Sequence, residues 1–290
     1  MALNLQTFKV RALTSLVFVI VMFCGLLINH WTFFILFTIV HFGCWYEYQK
    51  LAGKIEPEYK NISPAHAYGV MLAGWGFMLW MTNDAYTIGE AKLSGAGWYI
   101  MLVTLFALPL IEILLSKNFD LKNLLISVGG LVYISFSCGC MIDLRSEGMM
   151  FGNWFGIDLG LILPLLVIIT LWINDTMAYI VGSLIGKTPL IAISPKKTWE
   201  GTIGGVIMAV ITVTILGYIF FKADITQLII ISLLTCITGI IGDLFESKLK
   251  RMAEVKDSGS IMPGHGGFLD RFDSLLFATI FVWIYVKLFL

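Results

Sequence analysis

Long apolar runs separated by short polar stretches dominate the chain from Leu13 to Leu290. A bilayer core is crossed by about 20 mainly apolar helical residues. Nine runs approach that length: Leu13–Ile28, Trp31–Tyr46, Ala67–Met81, Trp98–Leu115, Leu124–Ile142, Ile157–Ile173, Ile203–Phe221, Ile225–Gly242 and Phe272–Leu290. Each predicts a helix, because a helix pairs its own backbone groups where no water is available. Thr176–Ile185 is apolar but short, and either extends the sixth span or stands as a half-helix. The first run follows Lys9 and Arg11 as a signal peptide would. Asn29-His30-Trp31 then stands where a small-residue cleavage site is expected, which favours a retained span. The predicted fold is an all-α polytopic integral membrane protein with about nine transmembrane helices.

Composition agrees with this. Charged residues make up 13% of the chain and mean hydropathy is +0.88, whereas a soluble domain carries about 25% charged residues. The formal net charge of zero hides an asymmetry: fifteen of the nineteen Lys and Arg fall in alternate loops. The positive-inside rule then puts the N-terminus in the cytoplasm and the C-terminus outside. No basic patch with interleaved aromatics appears, so no nucleic-acid partner is expected. Five cysteines lie mostly within apolar runs, and Cys138-Gly139-Cys140 reads as small residues at a helix contact. Residues 1–150 read as a transmembrane scaffold. Residues 151–290 read as a catalytic half with cytoplasmic motif loops, the two forming one integrated domain.

Candidate chemistry clusters near the C-terminus. Between Asp243 and Asp273 stand five basic and six acidic residues, flanked by apolar runs. Carboxylates at a membrane boundary are costly to desolvate, so a functional role is their default reading. If the eighth span continues as a helix, Asp243, Ser247, Lys250 and Arg251 share one face, which suits a metal-bound phosphate. A mutually paired, solvated face is the alternative. Gly266 and Gly267 precede the last span, where free backbone N–H groups and the helix dipole favour an anion. Asp270 and Asp273, spaced i, i+3 beside Arg271, suit Mg²⁺, although dipole complementation alone is the plainer reading. His265 either bonds a phosphate or orders the turn.

A third cluster combines Asn174 and Asp175 with Ser194-Pro195-Lys196-Lys197-Thr198-Trp199-Glu200-Gly201. Ser194-Pro195 reads as an N-cap and first helical residue. Lys196 and Lys197 then occupy the first turn, against the dipole, as expected if an anion binds there. Glu47 and Glu112 also end apolar runs, with a weaker claim to line a cavity. The Gly182-x-x-x-Gly186 and Gly201-x-x-x-Gly205 pairs predict close helix approach. Together these residues suggest metal-assisted phosphoryl or nucleotidyl transfer at the cytoplasmic membrane face.

The run from Ser247 through Leu249-Lys250-Arg251, Lys256-Asp257 and Gly259 to Pro263, His265-Gly266-Gly267-Phe268 and Asp270-Arg271-Phe272-Asp273 resembles the signature of the CDP-diacylglycerol synthase (phosphatidate cytidylyltransferase) family. Met262 departs mildly from it. The Asn174-Asp175 and Ser194–Gly201 segments resemble that family too, and the close similarity covers roughly the final 120 residues. The resemblance implies a multi-pass enzyme of the inner (cytoplasmic) membrane that joins CTP and phosphatidate into CDP-diacylglycerol and pyrophosphate. It implies Mg²⁺, with room for a second cation, and by matching position makes Asp243 and Asp270 the metal-binding aspartates. Asp273 would assist them. Lys196, Lys197, Lys250, Arg251 and Arg271 would offset repulsion between the two anionic substrates. Asn174, Asp175, Ser194, Thr198, Glu200, Ser247, Lys256, Asp257, His265, Gly266 and Gly267 complete the expected substrate contacts. Expected partners are CTP, phosphatidate and the bilayer, with a homodimer left open. A CTP-dependent polyprenol or phytol kinase and an ion-coupled transporter are the alternatives.

Overall fold

The computed structural model describes residues 5–115, 120–150, 153–154, 157–261 and 266–290. Ten α-helical segments follow in order: α1 (Leu5–Leu27), α2 (His30–Ile55), α3 (Pro64–Trp80), α4 (Leu93–Leu115), α5 (Leu121–Gly130), α6 (Ser137–Met150), α7 (Leu159–Ile185), α8 (Trp199–Phe221), α9 (Ile225–Met252) and α10 (Leu269–Phe289). A π-helical turn, Leu131–Phe136, joins α5 to α6, so the described residues form nine continuous helices, one for each predicted run. The only strands among them are two hairpins of two-residue strands.

Local signals explain the helix ends. Asn29 and Thr32 form a reciprocal capping box at the start of α2, and Ser63 with Pro64 opens α3. The segment Thr176–Ile185 belongs to α7 and is no separate half-helix.

Six of these helices are long and apolar enough to cross a membrane, by length and composition: those within Leu93–Ile111, Leu121–Glu147, Gly160–Ile185, Trp199–Phe221, Ile225–Met252 and Leu269–Phe289. The apolar stretch Leu13–Leu27 is shorter. Their outward faces are greasy. Along α8, Ile207, Ile211 and Ile215 are 52%, 50% and 52% exposed at a helical spacing of four, a surface suited to lipid tails rather than water. The protein is a polytopic membrane protein.

Two compact units are present. The first comprises Met1–Ser146 and Leu249–Phe272, and the second Glu147–Lys248 and Asp273–Leu290. In the first, Phe33, Phe37, Trp45, Met78, Ile134 and Met141 are buried. The buried Ser135 hydroxyl accepts from the Trp45 indole at 2.8 Å and lies 2.9 Å from His41 Nε2. In the second, α7 and α8 pack backbone to backbone. A Cβ on Gly201 would meet the Ala178 carbonyl at 2.8 Å, and one on Gly205 would meet the Asn174 carbonyl at 2.8 Å. The glycine spacing therefore does what the sequence suggested. All five cysteines are free.

Candidate active site

In the second unit, a cavity of about 380 Å³ is lined by Asn174, Asp175, Lys196, Lys197, Thr198 and Asp243, among others. It gathers six of the predicted residues from α7, the α7–α8 loop, the start of α8 and α9. Asp243 and Lys197 form an ion pair, and the Ser247 hydroxyl donates to Asp243 Oδ1 at 3.3 Å. The latter bond confirms that α9 carries these two residues on one face, as a helix running on to Met252 requires. Asn174 is 3% exposed, and its Oδ1 has no hydrogen-bond partner. An unpaired buried carbonyl oxygen carries a desolvation penalty, which a ligand or water in the cavity would relieve.

The lysines reach this cavity differently from the sequence expectation. Helix α8 starts at Trp199 with Thr198 as its N-cap, the hydroxyl accepting from Gly201 N–H at 3.2 Å. Ser194 is not the cap. Lys197 N–H donates to the Ser194 carbonyl at 3.1 Å, which makes Ser194-Pro195-Lys196-Lys197 a reverse turn with proline at its second position. The Leu190 N–H to Lys197 carbonyl bond (2.8 Å) and the Trp199 N–H to Thr188 carbonyl bond (2.9 Å) fasten that turn. These ladder bonds compete successfully with an earlier helix start. Glu200 is committed as well: it accepts from the Lys187 and Thr188 N–H groups and from the Thr188 hydroxyl. It closes the loop before α8, and it is not among the cavity-lining residues. Asp273, also in this unit, accepts from Ser274 N–H at 2.6 Å.

In the first unit, Asp270 is the hub. Its Oδ1 accepts from Lys250 Nζ at 2.7 Å. Its Oδ2 accepts from Gly267 N–H (2.8 Å) and Ser258 N–H (2.9 Å) and lies 2.9 Å from the Ser258 hydroxyl oxygen. One oxygen therefore holds the loop, while the other faces a single cation. Gly266 has φ +83, which an L side chain rarely adopts, so glycine is required there. Arg251 donates instead to the Val255 carbonyl at 3.4 Å, at an exposed position. Lys256, Asp257 and Arg271 are exposed. His265 lies outside the described residues, together with Met262, Pro263 and Gly264.

The amides that open α10 are engaged within the protein: Gly267 N–H by Asp270, as above, and the next two by Glu47, 1% exposed on α2, whose Oε1 accepts from Phe268 N–H at 3.0 Å and Oε2 from Leu269 N–H at 2.9 Å. The Ser258 hydroxyl donates to Oε2 at 2.7 Å. A buried carboxylate from a distant helix thus satisfies the amides and dipole of the α10 N-terminus. Cβ atoms on Gly259 or Gly267 would collide with this carboxylate. Those two glycines exist to admit Glu47. The one signal for Glu47 in the sequence was a lone acid ending an apolar run, too weak alone to assign a role.

Each unit carries hard oxygen donors: the Asp243 carboxylate and the unpaired Asn174 carbonyl in the second, and the Asp270 carboxylate in the first. Among the described residues no group of three or more His, Cys, Asp or Glu stands together. An ion held in either unit would thus draw most of its ligands from substrate phosphates and water, as Mg²⁺ commonly does.

Comparison with known proteins places these features. Residues 9–289 match the model described as the Cytidylyltransferase family. The chain is 34% identical over 235 residues to a phosphatidate cytidylyltransferase of Bacillus subtilis (strain 168), covering 79% of this chain and 81% of that protein. It is 41% identical over 162 residues to phosphatidate cytidylyltransferase 4, chloroplastic, of Arabidopsis thaliana, covering 53% of this chain and 41% of that one. A phosphatidate cytidylyltransferase of Helicobacter pylori (strain J99 / ATCC 700824) is 39% identical over 135 residues, 46% of this chain and 51% of that protein. The match thus spans about two fifths of the chloroplastic relative's length and about four fifths of the Bacillus protein's. With a family match over nearly its whole length, the chain belongs to the cytidylyltransferase family.

Proposed function

We propose that the protein is a phosphatidate cytidylyltransferase, a nucleotidyltransferase of phospholipid biosynthesis. The observation that carries this reading is the family match across residues 9–289, supported by the similarity to the Bacillus protein over most of both chains. A phosphate oxygen of phosphatidate attacks the α-phosphorus of CTP. The bond from that phosphorus to the bridging oxygen breaks, and pyrophosphate leaves with CDP-diacylglycerol as the other product. The attacking oxygen is already anionic near neutral pH, so no strong base is needed. Orientation and charge neutralisation provide most of the rate.

Asp243 and Asp270 would hold Mg²⁺, with Asp273 assisting and a second cation admitted. When bound, the ion supplies Lewis-acid charge neutralisation on the CTP phosphates. The lysines have a matching duty. Lys197 sits on Asp243 and Lys250 on Asp270, so each carboxylate is held by a cation in the absence of substrate. Each ammonium is then placed to transfer its contact to a phosphate when the nucleotide arrives. Lys196, Arg251 and Arg271 add positive charge around the two anionic substrates. Asn174 offers its unpaired carbonyl to the same cavity. The charge asymmetry of the loops supports a cytoplasmic face for this chemistry.

The test is an assay of the purified full chain in detergent micelles with phosphatidate and CTP labelled at the α-phosphate or, in a parallel reaction, at the γ-phosphate. Labelled CDP-diacylglycerol should form with Mg²⁺, stop on addition of EDTA and resume when Mg²⁺ is restored. Transfer of a γ-phosphate label to lipid, or activity unaffected by EDTA, would defeat the reading.

A further inference from the structure

A second cavity, about 820 Å³, opens in the first unit between the end of α2, the turn after it, the start of α3 and the loop from Val255 to Ser260. Its lining carries Lys50, Lys54 and Lys60 against one acid, Asp257, a net charge of +2. All three lysines are exposed, and none has an ion-pair partner among the described residues. Lys50 instead lies over the Tyr46 ring, 4.1 Å from its centroid. Tyr46 and Tyr68, 51% and 68% exposed, add aromatic bodies with polar tips to the same lining. Tyrosine and lysine together at the end of an apolar helix are the residues of a membrane–water boundary.

We propose that this cavity seats the phosphate headgroup of phosphatidate, a site that rests on the cytidylyltransferase reading. Three features favour the lipid over the nucleotide as occupant. A phosphomonoester carries about −1.5 to −2 near neutral pH, which the net +2 of the lining balances with no metal ion, whereas a triphosphate comes with Mg²⁺, for which this lining offers one carboxylate, Asp257. The volume exceeds what a phosphate alone fills and leaves room for the glycerol and its ester groups. The lining also mixes the ammonium groups with Leu51, Ile62 and Met71, an apolar side suited to the start of acyl chains.

The cavity also shares a residue with the Asp270 hub. Ser258 lines its wall while donating through its N–H to Asp270 Oδ2. A headgroup seated there is in contact with the loop that holds the proposed metal carboxylate.

The test compares three full-length proteins: wild type, the triple variant Lys50→Gln/Lys54→Gln/Lys60→Gln, and the charge-keeping variant Lys50→Arg/Lys54→Arg/Lys60→Arg. Phosphatidate is varied by mole fraction in neutral detergent micelles at saturating CTP, and CTP is varied at saturating phosphatidate. The glutamine variant should raise the KM for phosphatidate at least roughly tenfold, from the loss of three cations beside an anionic headgroup, and shift the KM for CTP less than about twofold. The arginine variant should restore the phosphatidate KM. An unchanged phosphatidate KM in the glutamine variant overturns the proposal. So does a rise in the CTP KM instead, which would make this the nucleotide phosphate site. If the wild type forms no CDP-diacylglycerol at all, the parent reading fails first, and that outcome is separable from the other two.

Discussion

Replacing Glu47 by Gln tests the architecture of the site while preserving shape. The carboxylate accepts three hydrogen bonds: Phe268 N–H at Oε1, and Leu269 N–H with the Ser258 hydroxyl at Oε2. Glutamine has one acceptor oxygen. If that oxygen keeps the Oε2 partners, its NH₂ group points at Phe268 N–H, donor against donor. One bond to a charged acceptor, worth about 1.5–3 kcal/mol, is lost, and a part-buried N–H is left unpaired at about 1–3 kcal/mol. The two costs overlap, since both describe the same amide. Loss of negative charge at the α10 N-terminus adds about 0.3–1 kcal/mol. A total near 3 kcal/mol shifts the bound-to-released ratio of the Phe268 and Leu269 amides on Glu47 by roughly 150-fold. The expected result is a strong fall in CMP transfer to phosphatidate, with faster hydrogen exchange at the Phe268 and Leu269 amides and helical content unchanged. Wild-type turnover together with wild-type exchange at those two amides would refute the reasoning. Glu47 would then be a tolerated acid rather than the fastening of the loop.

Asp270→Asn should lower Mg²⁺-dependent turnover by roughly a hundredfold or more, since it removes charge at the proposed metal site. A loss under about tenfold in the same labelled-CTP assay would remove Asp270 from that proposal. Asn174→Ala deletes an oxygen that has no partner in the protein, together with a long 3.5 Å bond to Asp175 and a small buried volume, so the thermal midpoint in detergent should fall only slightly. Its kcat/KM should still fall about tenfold, the value of one ligand hydrogen bond; a stability loss without an activity loss would reverse the assignment. Gly267→Ala should destabilise by about 1–3 kcal/mol through overpacking against Glu47. That penalty should shrink in a Glu47→Ala background, as a double-mutant cycle by thermal unfolding would show, and additive effects would count against the contact.

Helix number was legible because apolar length is a strong and local signal. Each of the nine runs became a continuous helix, and Asp243 with Ser247 could be placed on one face from their spacing alone. The start of α8 was misread because two candidate caps, Ser194 and Thr198, stand four residues apart. The choice between them was made by ladder bonds from Thr188 and Leu190 that no local pattern reveals. Glu200 drew attention as a charged residue in a motif, yet its carboxylate is spent on the amides of Lys187 and Thr188. The α10 turn was read as a place for a substrate anion, and the anion the structure shows at the adjoining amides is the Glu47 carboxylate. The identity of that anion could not be read, because Glu47 comes from a helix remote in sequence. Pairing of Lys250 with Asp270 was similarly hidden, as a twenty-residue separation spanning a loop carries no periodicity.

The distance between Glu47 and its partners also bears on how the protein is made. Its backbone partners lie 221 and 222 positions further along the chain. During synthesis α2 must form long before those amides exist, with an acid in an apolar helix and nothing to receive it. Contacts of such separation form late, after the intervening loops have closed. Until then the acid is a point of weakness where water, a proton or a chaperone has to stand in. Arrival of the Phe268 and Leu269 amides would thus be the moment at which this early helix becomes secure.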